Sequence, residues 1–263
     1  MKLTIDSIKA DTFTAIFQHI KNFTDQINIH FSSEKMYVQT MDSARVSIVE
    51  IEIPAQWFAG GVGTYDCPIG IALGINVNIF WKILNSKDKS QVLELESNGD
   101  TLSIHFLNPE IADLTITTFE KHFEVPLIDI DIEMMQIPSI EYQAEFTISS
   151  IKFAEMIQQL RMFGDTMEIT CSEKKISLYS NSQESGKMSV EIKIDDLTSF
   201  AINEGDELNL SFSLMYLNYI CMYNKIAKEL DIRLCTKYPL SILYDLGQNA
   251  KMLFYLAPKM EDS

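Results

Sequence analysis

A shift of about 140 residues lays one half of this 263-residue chain over the other. That register constrains the fold more than any local motif. Phe13, Ile16, Phe17 and Ile20 recur at i, i+3, i+4 and i+7, one apolar face of a helix over 12–21. The same face returns as Phe153, Met156, Ile157 and Leu160. A basic residue follows each face, Lys21 and Arg161, and Gln18 recurs as Gln158. Alternation then predicts strands through Ile27, Ile29 and Phe31, and through Met167, Ile169 and Cys171. Met36 and Val38 match Ile176 and Leu178. A second helix face, Val77, Phe80, Ile83 and Leu84, repeats as Leu214, Leu217, Ile220 and Cys221. Alternating runs at 92–96 and 102–106, joined by the turn Asn98-Gly99-Asp100, match runs at 230–234 and 240–243. The pattern predicts a duplicated α+β unit: two similar domains with helices on one face of antiparallel sheets.

Between the halves, residues 127–138 alternate apolar residues with Asp129, Asp131 and Glu133 and close on Pro138, an extended acidic connector. Trp57-Phe-Ala-Gly-Gly-Val-Gly63 holds three of ten glycines and reads as a flexible loop. It lacks the Lys-Ser continuation of a phosphate loop. The four cysteines form no CxxC pair, so a zinc knuckle is not expected and reduced thiols are. Acidic residues near the N-terminus disfavour a signal peptide, and no apolar run of ~18 residues exists to span a membrane. The four histidines, His19, His30, His105 and His122, read as isolated from one another and without metal-ligand spacing. With no nucleophile elbow, HExxH or Walker pattern, the chain reads as a binding or scaffold protein, not an enzyme, with no cofactor and no metal.

The net charge of −16 argues against an adhesive nucleic-acid binder. The acid is unevenly placed, however. Opposite the apolar side, the first helix carries Thr14, Ala15, Gln18 and Asn22, flanked by Lys21. The second carries Glu155, Gln158, Gln159 and Met162 beside Arg161. Lys82, Asn78 and Asn85 follow on the third, and Met215, Asn218 and Met222, then Lys225 and Lys228, on the fourth. Such faces tolerate phosphates at close range.

At Gln39-Thr-Met-Asp-Ser-Ala-Arg-Val-Ser-Ile-Val49 the chain resembles the proliferating cell nuclear antigen family, the sliding clamps of DNA polymerases. Further marks are Met134-Met-Gln-Ile-Pro-Ser-Ile-Glu-Tyr142, Phe163-Gly-Asp165, Tyr216-Leu-Asn-Tyr219 and Tyr255-Leu-Ala-Pro-Lys-Met-Glu-Asp262. The resemblance implies a duplicated DNA-clamp fold and a ring-forming homotrimer that encircles duplex DNA independently of sequence. It implies a clamp domain over 1–126, a connector over 127–138 and a second clamp domain over 139–263. Partners would be DNA polymerase, clamp loader, ligase and nuclease, each through a short peptide, at the nucleus or another site of DNA replication and repair. No membrane is involved. The peptide pocket would comprise Met41, Arg45, Val46, Ile48, Met135, Ile137, Pro239, Tyr255, Ala257 and Pro258. DNA-facing residues would be Gln18, Lys21, Lys82, Gln158, Arg161 and Lys225. The lining is less basic than the family pattern, with Met162, Met215 and Met222 at basic positions. The subunit contact would join strands near 122–128 and 187–193, where Pro126 predicts a loose ring held by side-chain packing. The family's ubiquitin-acceptor lysine falls on Glu173, beside Lys174, and an insertion at 58–63 reads as a surface loop. The alternative is a clamp-fold subunit of a checkpoint-type hetero-oligomeric ring, or a non-ring polymerase accessory factor.

Overall fold

The computed structural model describes residues 1–109, 118–131, 133–222 and 224–259, and all of these except the side chain of Lys225. It divides into two units. The first comprises Met1–Thr40, Glu50–Met135 and Leu246–Lys251; the second, Met41–Val49, Gln136–Asp245 and Met252–Ser263.

The elements of the first half run β1 (Lys2–Ile5), α1 (Ser7–Ile20), β2 (Gln26–Phe31), β3 (Lys35–Met41), β4 (Ser47–Pro54), α2 (Ala55–Phe58), β5 (Thr64–Asp66), β6 (Ile71–Asn76), α3 (Val77–Leu84), β7 (Val92–Ser97), β8 (Thr101–Leu107) and β9 (Lys121–Pro126). The second half repeats the order as β10 (Ala144–Ser149), α4 (Ser150–Leu160), β11 (Thr166–Cys171), β12 (Lys175–Ser182), β13 (Gly186–Lys193), β14 (Ser199–Ile202), β15 (Leu208–Ser213), α5 (Leu214–Cys221), β16 (Glu229–Leu234), β17 (Leu240–Gly247) and β18 (Ala250–Leu256). A 3₁₀ turn at Ile194–Asp196 takes the place of α2, and another at Asn224–Ile226 follows α5.

The strand orders match as well. β5-β1-β7-β8-β9 corresponds to β14-β10-β16-β17-β18, and β4-β3-β2-β6 to β13-β12-β11-β15. The duplicated α+β reading therefore holds in topology as well as in pattern.

The apolar faces explain why. Phe13, Ile16, Phe17 and Ile20 of α1 are fully buried, and Phe17 packs on Phe80 of α3 with ring centroids 4.7 Å apart. Phe153, Ile157 and Leu160 of α4 and Leu214, Leu217, Ile220 and Cys221 of α5 are buried in the other unit. α1 begins earlier than its apolar stripe predicts, because Asp6 caps it, accepting from the amides of Ile8 (3.0 Å) and Lys9 (2.9 Å). The turn after β7 places Gly99 at φ +111°, where a side chain would be strained.

The glycine-rich loop is corrected. Trp57 and Phe58 are core residues: Phe58 is fully buried against Phe13, and the Trp57 indole N–H donates to the carbonyl of Leu246 at 3.3 Å. Only 59–62 are exposed, and Lys9 Nζ ties them down through the carbonyl of Ala59 at 2.9 Å. The two aromatics provide the anchor that the glycine count concealed.

Candidate peptide pocket and nucleic-acid interface

The loop joining β3 to β4 is organised by one carboxylate. Asp42 is buried and accepts from the amides of Ala44 (2.9 Å), Val46 (2.8 Å) and Ser47 (2.6 Å) and from the hydroxyl of Tyr216 on α5 (2.6 Å). Burial by itself would raise the pKa of Asp42. The Tyr216 hydroxyl and the three amides outweigh it and hold the carboxyl below its ordinary value of 3.8. On Tyr216, burial and the adjacent carboxylate push the phenol up to about 12. The closed loop presents Arg45, exposed and at φ +58°, and half-buried Val46.

The C-terminal segment is fastened to this loop. The amide of Ala257 donates to the carbonyl of Val46 at 2.9 Å. Two residues on, the amide of Lys259 donates to the carbonyl of Ser211 at 2.7 Å, and its ammonium reaches Thr166 Oγ1 at 2.6 Å. Tyr255 (on β18), Ala257 and Pro258 therefore lie on a strap held at both ends. Met41, Ile48, Tyr255, Ala257, Pro258, Pro239 and Ile137 are all half-buried, so the unit keeps apolar surface within reach of solvent. Ala257, Val46 and Arg45 are linked by hydrogen bonds through the Asp42 loop. Pro239 immediately precedes β17, and Ile137 lies in the part of the connector that belongs to the second unit.

Met135 belongs to the first unit, as does most of the connector. Three contacts lay the connector along β6, β2 and β3. Ile128 N–H donates to the carbonyl of Gly74 (2.8 Å), Asn28 Nδ2 to the carbonyl of Ile130 (2.9 Å), and Gln39 brackets Met135 (2.6 and 2.9 Å). Gly74 is required at its place: a Cβ there would lie 1.9 Å from the carbonyl oxygen of Ile128. Asp129, Asp131 and Glu133 are exposed on the fastened segment; Ile132 lies outside the described residues.

The DNA-facing candidates take the following places. Gln18 and Lys21 are half-buried at the end of α1, and Lys82 is exposed on α3. Lys21 Nζ sits 3.4 Å from the ring centroid of Trp81, a cation–π contact that fixes its stem while the charge stays on the helix face. Thr14, Ala15 and Gln18 line a cleft of about 210 Å³ with Asn85 and Lys87. Lys87 pairs with Asp11 at 3.3 Å, which offsets the acid on that face. In the second unit, Gln158, Arg161, Met162, Met215 and Met222 are all exposed. Lys225 lies in the 3₁₀ turn after α5, and its side chain is outside the described residues.

Sequence reasoning missed three residues that organise these surfaces: Asp42, Tyr216 and Trp81. Asp42 and Tyr216 stand in quoted motifs, but 174 residues separate them, and only the fold shows that they meet. The histidine reading is corrected. His105 and His122 are cross-strand neighbours with their Nδ1 atoms 2.9 Å apart. Among the described residues no cluster of three or more His, Cys, Asp or Glu could hold a metal, and no helix is long and apolar enough to cross a membrane.

Two family models together match nearly the whole chain. Residues 4–134 match the proliferating cell nuclear antigen N-terminal domain, and residues 136–259 match its C-terminal domain. Members of that family are sliding clamps, non-enzymatic accessory scaffolds of DNA polymerases at sites of replication and repair. With matched halves of identical strand order, the chain belongs to the proliferating cell nuclear antigen family.

Proposed function

We propose that this chain is a homotrimeric processivity clamp. It encircles duplex DNA and tethers polymerase, clamp loader, ligase and nuclease through peptides that dock beside Met41, Arg45, Val46, Ile48, Met135, Ile137, Pro239, Tyr255, Ala257 and Pro258. One observation carries the ring. β18 meets β4 inside the chain, with Lys251 paired to Glu52 at 3.3 Å and Ala257 bonded to Val46 at 2.9 Å. The equivalents of β18 and β4 in the repeat are β9 and β13, and both are edge strands. β9 of one chain is therefore free to meet β13 of the next as β18 meets β4. Pro126 is the last residue of β9, so the missing donor falls at the end of the strand.

Residues 1–126 and 139–263 are then the two clamp domains of each subunit, with 127–138 between them, and six similar domains close the ring. Three copies carry a formal −48, so encirclement, rather than affinity, holds the clamp on DNA. Gln18, Lys21, Lys82, Gln158, Arg161 and Lys225 face the duplex. The site of action is the nucleus or another replication compartment, and the protein performs no chemistry of its own.

The test is polymerase processivity on primed circular DNA against linear DNA with free ends. A topological clamp stimulates synthesis on the circle and slides off the linear template. Equal stimulation on both contradicts encirclement. Tyr255→Ala with the trimer intact should abolish stimulation; unchanged stimulation removes the pocket. A second reading, a subunit of a hetero-oligomeric ring or a non-ring accessory factor, is favoured by Pro126 at the contact strand and by methionines on the lining. A single-chain mass in solution would select it.

A further inference from the structure

We propose that His105 and His122 form a binding site for a divalent transition-metal ion on the sheet of the first unit, clasping β8 to the edge strand β9. The two residues are directly paired across the strands, and their Nδ1 atoms are 2.9 Å apart with the rings tilted by 59°. In the metal-free chain one imidazole donates its Nδ1–H to the other. That arrangement holds two imidazole nitrogens side by side, and small rotations of the two exposed rings aim both lone pairs at one ion.

The spacing selects among metals. Metal–imidazole bonds are about 2.0–2.1 Å long. Two nitrogens 2.9 Å apart then subtend about 90° at the metal. That is the cis angle of tetragonal or octahedral coordination, as for Ni²⁺ or Cu²⁺; a tetrahedral ion such as Zn²⁺ needs the donors about 3.3 Å apart. On binding, the ring that held its proton on Nδ1 carries it on Nε2 instead, so both Nδ1 lone pairs become available and no net proton is lost.

The surroundings favour a cation. Glu94 continues the same cross-strand row beyond His105, and Glu124 lies two residues from His122 on the same exposed face. Lys2 pairs with Glu94 at 3.1 Å. The imidazoles stand on the sheet face opposite the buried Leu102, Ile104 and Phe106, so they stay accessible if another strand joins the free edge of β9. The remaining coordination positions face water. The inference stands independently of the ring.

The experiment is a calorimetric titration of the full chain, stripped with a chelator, with NiCl₂, CuCl₂ or ZnCl₂ alone, alongside melting curves. One Ni²⁺ should bind per chain and raise the melting temperature, because it ties an edge strand to its neighbour. His105→Ala and His122→Ala should each lose that binding and that shift. His122→Asn, polar and exposed, should do the same and guards against a folding defect. Retained binding in His122→Asn, or no binding by the parent chain, would overturn the proposal. Zn²⁺ binding more tightly than Ni²⁺ would overturn the 90° geometry.

Discussion

The two units share a strand order and differ in what their helices show to solvent. In the first, Lys21 lies against Trp81, Lys82 is exposed, and Lys87 offsets Asp11. In the second, Met162, Met215 and Met222 are exposed alongside Lys152, Glu155 and Gln158, with Arg161 at the end of α4. The buried faces are interchangeable in kind and the exposed faces are not. Burial constrains the inner residues because each lost methylene leaves a cavity. The outer residues answer only to whatever passes them.

Breaking the buried faces should give the largest and most equal effects. Phe17→Ala should destabilise by about 3–5 kcal/mol and Ile157→Ala by about 2–5 kcal/mol in denaturant unfolding. A large loss in one unit alone would show that the halves are not equivalent cores.

The connector comes next, and the units differ there in the residue beneath the strap, glycine on β6 and serine on β15. Gly74→Ala forces a Cβ onto Ile128 and should cost about 1–3 kcal/mol, with faster proteolysis near residue 130. On the equivalent strand β15 the amide of Lys259 reaches the carbonyl of Ser211 at 2.7 Å, but position 211 already carries a Cβ, so Ser211→Ala should cost under about 0.5 kcal/mol.

These first two effects mark what the sequence makes legible. Apolar periodicity identifies α1, α3, α4, α5 and the strands β2, β3, β7, β8, β11, β12, β16 and β17, because burial writes itself at fixed spacing. It does not show that Trp57 and Phe58 leave a glycine-rich stretch for the core, since two residues have no period. Nor does it show that Asp42 meets Tyr216, or that His105 meets His122. Those contacts depend on which strands and helices become neighbours, information held in the topology rather than in any window. Most proposed pocket and lining residues come through motif resemblance, whereas the carboxylate that shapes the pocket loop becomes visible only in three dimensions.

Smaller effects sharpen the second unit. Tyr216→Phe removes one bond to Asp42 and should cost about 1 kcal/mol while weakening partner-peptide binding. Asp42 titrates below its ordinary value when folded, so its contribution is present above that value. It is lost as pH falls through the lower folded pKa. The loop should therefore stay closed at pH 5 and open only in stronger acid, whereas Asp42→Asn should remove this step from the stability–pH curve. Chemical shifts of Val46 and Ser47 amides report both.

The smallest effects lie on the helix faces. Lys21→Ala should leave stability within about 0.5 kcal/mol of the parent and speed sliding off linear DNA. Met215→Lys should lengthen retention and steepen its salt dependence by roughly one counterion per chain. If the two substitutions change retention by unequal amounts, the units contribute differently to the track.

The central claim is closure through β9 and β13, and sedimentation equilibrium across a dilution series tests it most directly. The account predicts three chain masses at micromolar concentration, falling toward one on dilution because Pro126 ends the contact strand. One chain mass at every concentration would contradict the ring, and three chain masses persisting at nanomolar concentration would contradict the loose contact.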